Sequence, residues 1–249
     1  MGFDDYNFNN DNGAADVVGA DFHDDNVRKN FTKKVTGLLG VQLLITFGFV
    51  SIATLGRATE TNPDGFQMGV GLFSPGLVWT SLVLSFVLLI GATCCCQSML
   101  RKAPHNLGFL LVWTLLESHV VAACGLNYAP MAVMQAMGTC AAITLLIAAL
   151  VSFTSFDFSK LLPIMFAVLM TWVICTFFLI LFRIQMDQAI RGYIGATIFT
   201  IFLAIDMKMV LGGGKYIYAE DDYVLAVINI YLDIINLFLY LLQIFGSND

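Results

Sequence analysis

Three carboxylates stand in stretches of sequence that are otherwise apolar: Glu117 within 107–126, Asp206 within 192–212 and Asp233 within 223–245. An Asp at the centre of a membrane helix costs about 2.5–3.5 kcal/mol on insertion scales. Such residues are tolerated where they gain paired stability or do chemistry. Asp206 and Asp233 lie on successive runs joined by a short break, so contact between them is geometrically easy. Two carboxylates in a low dielectric rarely both ionise; the pair is expected to share one proton and titrate as a unit. That is proton-sensing chemistry, and its charged form is a potential ligand for a cation (both aspartates being the candidate metal ligands). Around Asp233, the residues Asn229, Asn236 and Tyr240 recur at spacings of three and four, a polar stripe on one helical face. Arg101, at the end of an earlier run, is the expected cap of the acidic cluster, with Glu117, Asn229 and Asn236 as supporting residues. Lys208, two residues past Asp206, points elsewhere and is expected to snorkel to headgroups. His119 is expected to be packed rather than to act as a ligand.

The elements that must hold these side chains follow from hydropathy. The 249-residue chain is 58% hydrophobic and 12% charged, with a mean hydropathy of +0.80. A soluble domain carries roughly 25% charged residues. The composition excludes a soluble enzyme, a disordered scaffold and a secreted disulfide module. Seven apolar runs, 35–55, 77–98, 107–126, 131–153, 161–182, 192–212 and 223–245, are separated by short breaks carrying Pro, Gly and charge. Each is long enough as a helix to cross a hydrocarbon core of about 30 Å. Strands of a membrane barrel would be about half as long and alternate in polarity. The expected fold is therefore an all-α membrane protein, a seven-helix transmembrane bundle over 35–249, in contact with the lipid bilayer.

Ahead of it, residues 1–34 hold seven Asp and no apolar run, and read as a short disordered acidic tail. Eight Lys and Arg fall on the side of the tail and the even-numbered loops, against Arg57, Arg183 and Arg191 opposite. The asymmetry places the N-terminus in the cytosol. A net charge of −6 gives no footprint for nucleic acid. The six Cys lack zinc spacing and read as small hydrophobes, apart from Cys94, Cys95 and Cys96, whose place before Arg101-Lys102 suits S-palmitoylation. Gly212-Gly213-Gly214-Lys215 lacks the spacing of a phosphate loop and reads as a helix stop. No cofactor is expected, and no enzymatic activity.

The stretch "DDYVLAVINIYLDIINLFLYLLQIFG" (221–246) resembles the signature of the Bax inhibitor / Lifeguard family of transmembrane proteins. "NFTKKVTGLLGVQLLITFG" is similar to that family's first span, "RKAPHN" to the basic turn after its second, and "WTLLES" to the span-three motif carrying Glu117. "TSFDFS" is similar to the loop before span five and "AIDMKMVLGGGK" to the span-six Asp motif. The likeness runs from about residue 30 to 246, with departures at Met207-Lys208 and Gln243. It implies seven helices and a pH-sensitive dyad, here Asp206 and Asp233, with Arg101 nearest to the basic residue linked to the closed state. It further implies a calcium leak across internal membranes (endoplasmic reticulum or Golgi, with the plasma membrane as alternative) and suppression of cell death, with cell-death regulatory membrane proteins as partners. Two other classes fit seven spans. An intramembrane aspartyl protease also uses two late aspartates, but Ile230-Tyr231-Leu232 precedes Asp233 where that chemistry uses Gly-x-Gly-Asp. A seven-helix receptor fits poorly with such a short tail and such small loops.

Overall fold

A computed structural model describes residues 25–55, 72–95, 100–101, 104–212 and 218–246. Backbone polar groups in hydrocarbon have no water to bond, so an apolar chain of this kind crosses as helices that satisfy themselves. Seven do so: α1 (Asp25–Leu55), α2 (Pro75–Ile90, continued by a π-turn over Gly91–Cys95), α3 (His105–Gly125), α4 (Pro130–Phe153), α5 (Leu162–Leu181), α6 (Gln188–Leu211) and α7 (Tyr223–Phe245). All seven are long and apolar enough to span a membrane. No strand occurs among the described residues.

The sequence signals that punctuate the helices are local. Pro75 and Pro130 open α2 and α4 from positions where no intrahelical N–H is needed. Asp187 caps α6, its Oδ1 accepting from the amides of Ala189 at 2.9 Å and Ile190 at 3.2 Å. Gly212 ends α6 with φ at 76°, a backbone conformation that favours glycine, and a Cβ there would run into the Arg28 side chain.

One boundary is corrected. The first helix starts at Asp25, not near Val35, so residues 25–34 of the expected tail are helical. Their turns are anchored from outside: Phe31 is buried, Thr32 Oγ1 donates to the Val210 carbonyl at 3.4 Å, and Lys34 Nζ sits 3.3 Å from the Tyr223 ring centroid. The rest of the tail, 1–24, lies outside the described residues. Of the cysteine triplet, Cys94 is exposed and unbridged, while Cys96 lies outside the described residues.

Helix α7 is the axis. Two thirds (67%) of its spanning window is buried, against 6% for α5, and α6, α4, α1 and α3 all pack on it. Exposed Trp79, Phe86, Leu145 and Phe177 face outward, where a bilayer rather than water suits them. The closest approach is α6 on α7. A Cβ at Gly192 would stand 2.8 Å from the Tyr240 carbonyl oxygen, and one at Gly195 would stand 2.3 Å from the Tyr240 ring. Small residues that admit a neighbouring backbone are the usual basis of helix contact in lipid. Tyr240 is then held by Phe199, stacked at 5.7 Å, and by the indole N–H of Trp172, which donates to its hydroxyl at 3.2 Å.

This contact predicts an order of damage. Gly192→Ala meets a main-chain oxygen and should cost about 1–3 kcal/mol. Gly195→Ala meets the Tyr240 ring down to its Cγ at 2.5 Å, a ring pinned by Phe199 and Trp172, and should cost as much or more. Thermal unfolding of the two purified variants in one detergent measures the order.

Candidate functional site

Asp206 on α6 and Asp233 on α7 are buried, 7% and 6% exposed, and their carboxyl groups lie within hydrogen-bonding reach of each other. Two facing carboxyl groups can hydrogen-bond only when one carries a proton. The second Asp233 oxygen, Oδ2, is buried and has no hydrogen-bond partner. The pair is held by the α6–α7 contact, since both residues sit on the helix faces that meet.

A residue absent from the sequence reading completes the site. Tyr218, in the segment that returns from α6 to α7, is 7% exposed and brings its hydroxyl within reach of Asp206. Asn229 Nδ2 donates to that same hydroxyl at 2.8 Å. Burial pushes the Tyr218 phenol well above its ordinary range, and the neighbouring Asp206 charge pushes it further. The phenol therefore stays protonated, accepting from Asn229 and donating toward Asp206. Asn229 thus supports the dyad, but through Tyr218. Nothing in the sequence marks Tyr218, because a loop residue folding back into the bundle leaves no periodic signal.

Three expected supporting residues are placed elsewhere. Arg101 binds Asp222, its Nε donating to Oδ1 at 2.8 Å and Nη2 to Oδ2 at 3.3 Å. Asp222 precedes Asp233 by eleven residues, a rise of about 16 Å along a helix, so Arg101 latches the mouth of α7 rather than capping the dyad. Asn236 Nδ2 donates to the Leu232 carbonyl of its own helix at 2.8 Å and does not reach the carboxyl pair. Glu117 turns toward Ser85 on α2. Lys208 also departs from expectation. It is 8% exposed and its Nζ donates at 3.0 Å to the carbonyl of Thr154, the residue that ends α4, which gives the ammonium a partner inside the protein instead of at the headgroups. His119 is packed as expected, stacked on Phe73 and bonded through Nε2 to the Leu72 carbonyl at 2.8 Å and through Nδ1 to Ser81 at 2.9 Å.

A second polar layer joins α1, α3 and α7. Gln42 Nε2 donates to Thr114 Oγ1 at 2.6 Å, and Thr46 Oγ1 lies 2.9 Å from both Ser118 Oγ and the Tyr231 hydroxyl. Trp113 meets Tyr231 edge-on at 5.4 Å. Together with the dyad, it lines α7 with groups that can exchange protons or ligate a desolvated cation. A resident calcium site takes six to eight oxygens. The dyad and Tyr218 supply fewer, and no cluster of three or more His, Cys, Asp or Glu suited to a metal occurs among the described residues.

Comparison with known proteins agrees with this seven-helix reading. Protein lifeguard 3 of Mus musculus is 29% identical over 253 residues, covering 98% of this chain and 78% of its own. Protein lifeguard 3 of Homo sapiens is 28% identical, covering 95% of this chain and 75% of its own. The Golgi anti-apoptotic protein of Vaccinia virus (strain Lister) is 30% identical, covering 97% of this chain and 92% of its own. The family model described as inhibitor of apoptosis-promoting Bax1 matches residues 28–249, and the chain, a multi-pass membrane protein, belongs to this Bax inhibitor / lifeguard family.

Proposed function

We propose that this protein is a pH-sensitive calcium leak of an internal membrane, endoplasmic reticulum or Golgi, and that it restrains cell death by limiting stored calcium. The observation that carries the reading is the buried Asp206–Asp233 carboxyl pair at the α6–α7 contact. The names of the relatives support the cell-death and Golgi parts, one being called a Golgi anti-apoptotic protein. The reading needs no enzymatic step. Cell-death regulatory membrane proteins are the proposed partners.

The mechanism follows from charge. With a proton between them, the two carboxyls hold α6 to α7 and offer a passing divalent cation little attraction. When the proton leaves at higher pH, two negative charges face each other in a low dielectric. They repel unless a cation such as Ca²⁺ comes between them. Calcium binding at the dyad is therefore strongest at high pH and falls as pH drops. Tyr218 biases the balance, since its hydroxyl favours the ionised carboxylate of Asp206. Arg101 and Asp222 act at the mouth, about 16 Å away along α7, as a separate latch between the start of α7 and the segment ahead of α3.

Three outcomes test this. In proteoliposomes, Asp206→Asn and Asp233→Asn should each flatten the pH dependence of calcium flux. The double variant should add little, because the groups act as one unit; folded single variants with wild-type pH dependence would show the dyad to be polar glue. Tyr218→Phe should move the pH midpoint of the flux upward by removing the donor to Asp206, while Asn236→Leu should leave the midpoint in place. For orientation, a tag ahead of Asp25 should be digested by protease added to the cytosolic face of sealed membranes and a tag after Asp249 protected. Both tags on one side would contradict the seven-span orientation.

A further inference from the structure

At the end of the bundle opposite the Arg101–Asp222 pair, between α5 and α6, lies a cavity of about 560 Å³. Arg183 and Arg191 both line it, with Gln185 and Gln188 beside them and Thr176 toward the α5 side. Neither arginine makes an ion pair among the described residues. Arg191 spends one donor on the Met186 carbonyl at 3.1 Å. The nearby carboxylate, Asp187, accepts from the backbone amides that open α6 through Oδ1 and makes no ion pair with either arginine. Thr176 Oγ1 is buried without a hydrogen-bond partner. Two guanidinium groups therefore share a cavity, and neither is ion-paired among the described residues.

The backbone at Arg183 strengthens the case. Helix α5 ends with the Ile184 amide donating to the Leu179 carbonyl at 2.9 Å and the Arg183 amide to the Ile180 carbonyl at 3.1 Å. This is a Schellman ending, and its left-handed residue, usually Gly, is here Arg183 with φ at 54°. A side chain at that position strains the backbone, so the cap alone gives no reason for an arginine. Its charge suits the α5 C-terminus, but lysine or arginine elsewhere in the last turn would serve that without strain.

The geometry points to a site for the phosphate group of a phospholipid of net negative charge in the adjoining leaflet, held by the two guanidinium forks; a zwitterionic headgroup would bring its own cation against the arginines. Guanidinium matches phosphate oxygens in shape as well as charge. The cavity sits where a spanning helix ends, at the level of lipid headgroups. Its wall along Leu179 and Ile180 continues into the exposed apolar face of α5, including Phe177 and Leu181, which gives an acyl chain a place that free phosphate does not need. The site is independent of the dyad and of the calcium reading.

The test compares thermal stability of the purified full chain in a neutral detergent, with added phosphatidylglycerol, with phosphatidylcholine, or with inorganic phosphate. Phosphatidylglycerol should raise the Tm, and phosphatidylcholine and inorganic phosphate should not. Arg183→Gly relieves the backbone and keeps the α5 cap, so its Tm without anionic lipid should equal or exceed that of the parent. Its apparent affinity for phosphatidylglycerol should fall about tenfold, the scale of a lost charge-assisted fork, and Arg191→Gln should do the same. A full phosphatidylglycerol response in Arg183→Gly overturns the site. Equal responses to the two lipids overturn it as well, and a matching response to inorganic phosphate alone overturns the assignment to lipid.

Discussion

The contact of α6 with α7 is the constraint on which the rest of the molecule hangs. Gly192 and Gly195 remove the side chains that would hold the helices apart, and Tyr240 and Ile244 fill the space. In lipid this close packing replaces the hydrophobic driving force that helices have in water. Three turns farther along α6 the same contact brings Asp206 against Asp233, so the site and the packing are one interface. Widening it at the glycines would separate the carboxyls and leave each of them buried alone, which is the expensive arrangement.

Polar groups elsewhere are organised so that few are stranded. Lys208 crosses to the end of α4, where its ammonium answers a terminal carbonyl. Asn106 donates to the Tyr223 hydroxyl beneath Lys34. Thr46, Ser118 and Tyr231 close on one another. The last two groups tie α1, α3 and α7, and Lys208 ties α6 to α4, at points where apolar packing alone would permit sliding or rotation. The buried atoms left unpartnered are spread over several helices and include Asp233 Oδ2, Gln42 Oε1, Trp113 Nε1 and Thr176 Oγ1.

The two ends of the bundle carry different charge chemistry. At the end bearing the α6–α7 return, three positive side chains have partners: Arg101 with Asp222, Lys160 with Asp157, and Lys34 with the Tyr223 ring. The exposed pair Arg101–Asp222 contributes at most about 1 kcal/mol, which suits a latch that opens. At the α5–α6 end, Arg183 and Arg191 are unmatched by acids among the described residues, and the lipid surface is the natural source of the missing charge.

Hydropathy along the chain was sufficient to determine seven helices, because a span must be apolar over a set length whatever it packs against. Six of the seven starts fell within a few residues of Pro, Asp or Gly signals that act locally. The exception, α1, begins ten residues early, since Phe31, Thr32 and Lys34 gain partners on α6 and α7 that composition does not reveal. Asp206 and Asp233 were legible because a carboxylate in an apolar run is conspicuous wherever it points. Their surroundings were not. Tyr218 enters from a loop, Arg101 finds Asp222 first, Asn236 bonds its own helix, and Lys208 turns inward. Each of these choices depends on helix rotation and loop return, which are set by contacts between residues far apart in the chain, and tertiary structure alone decided them.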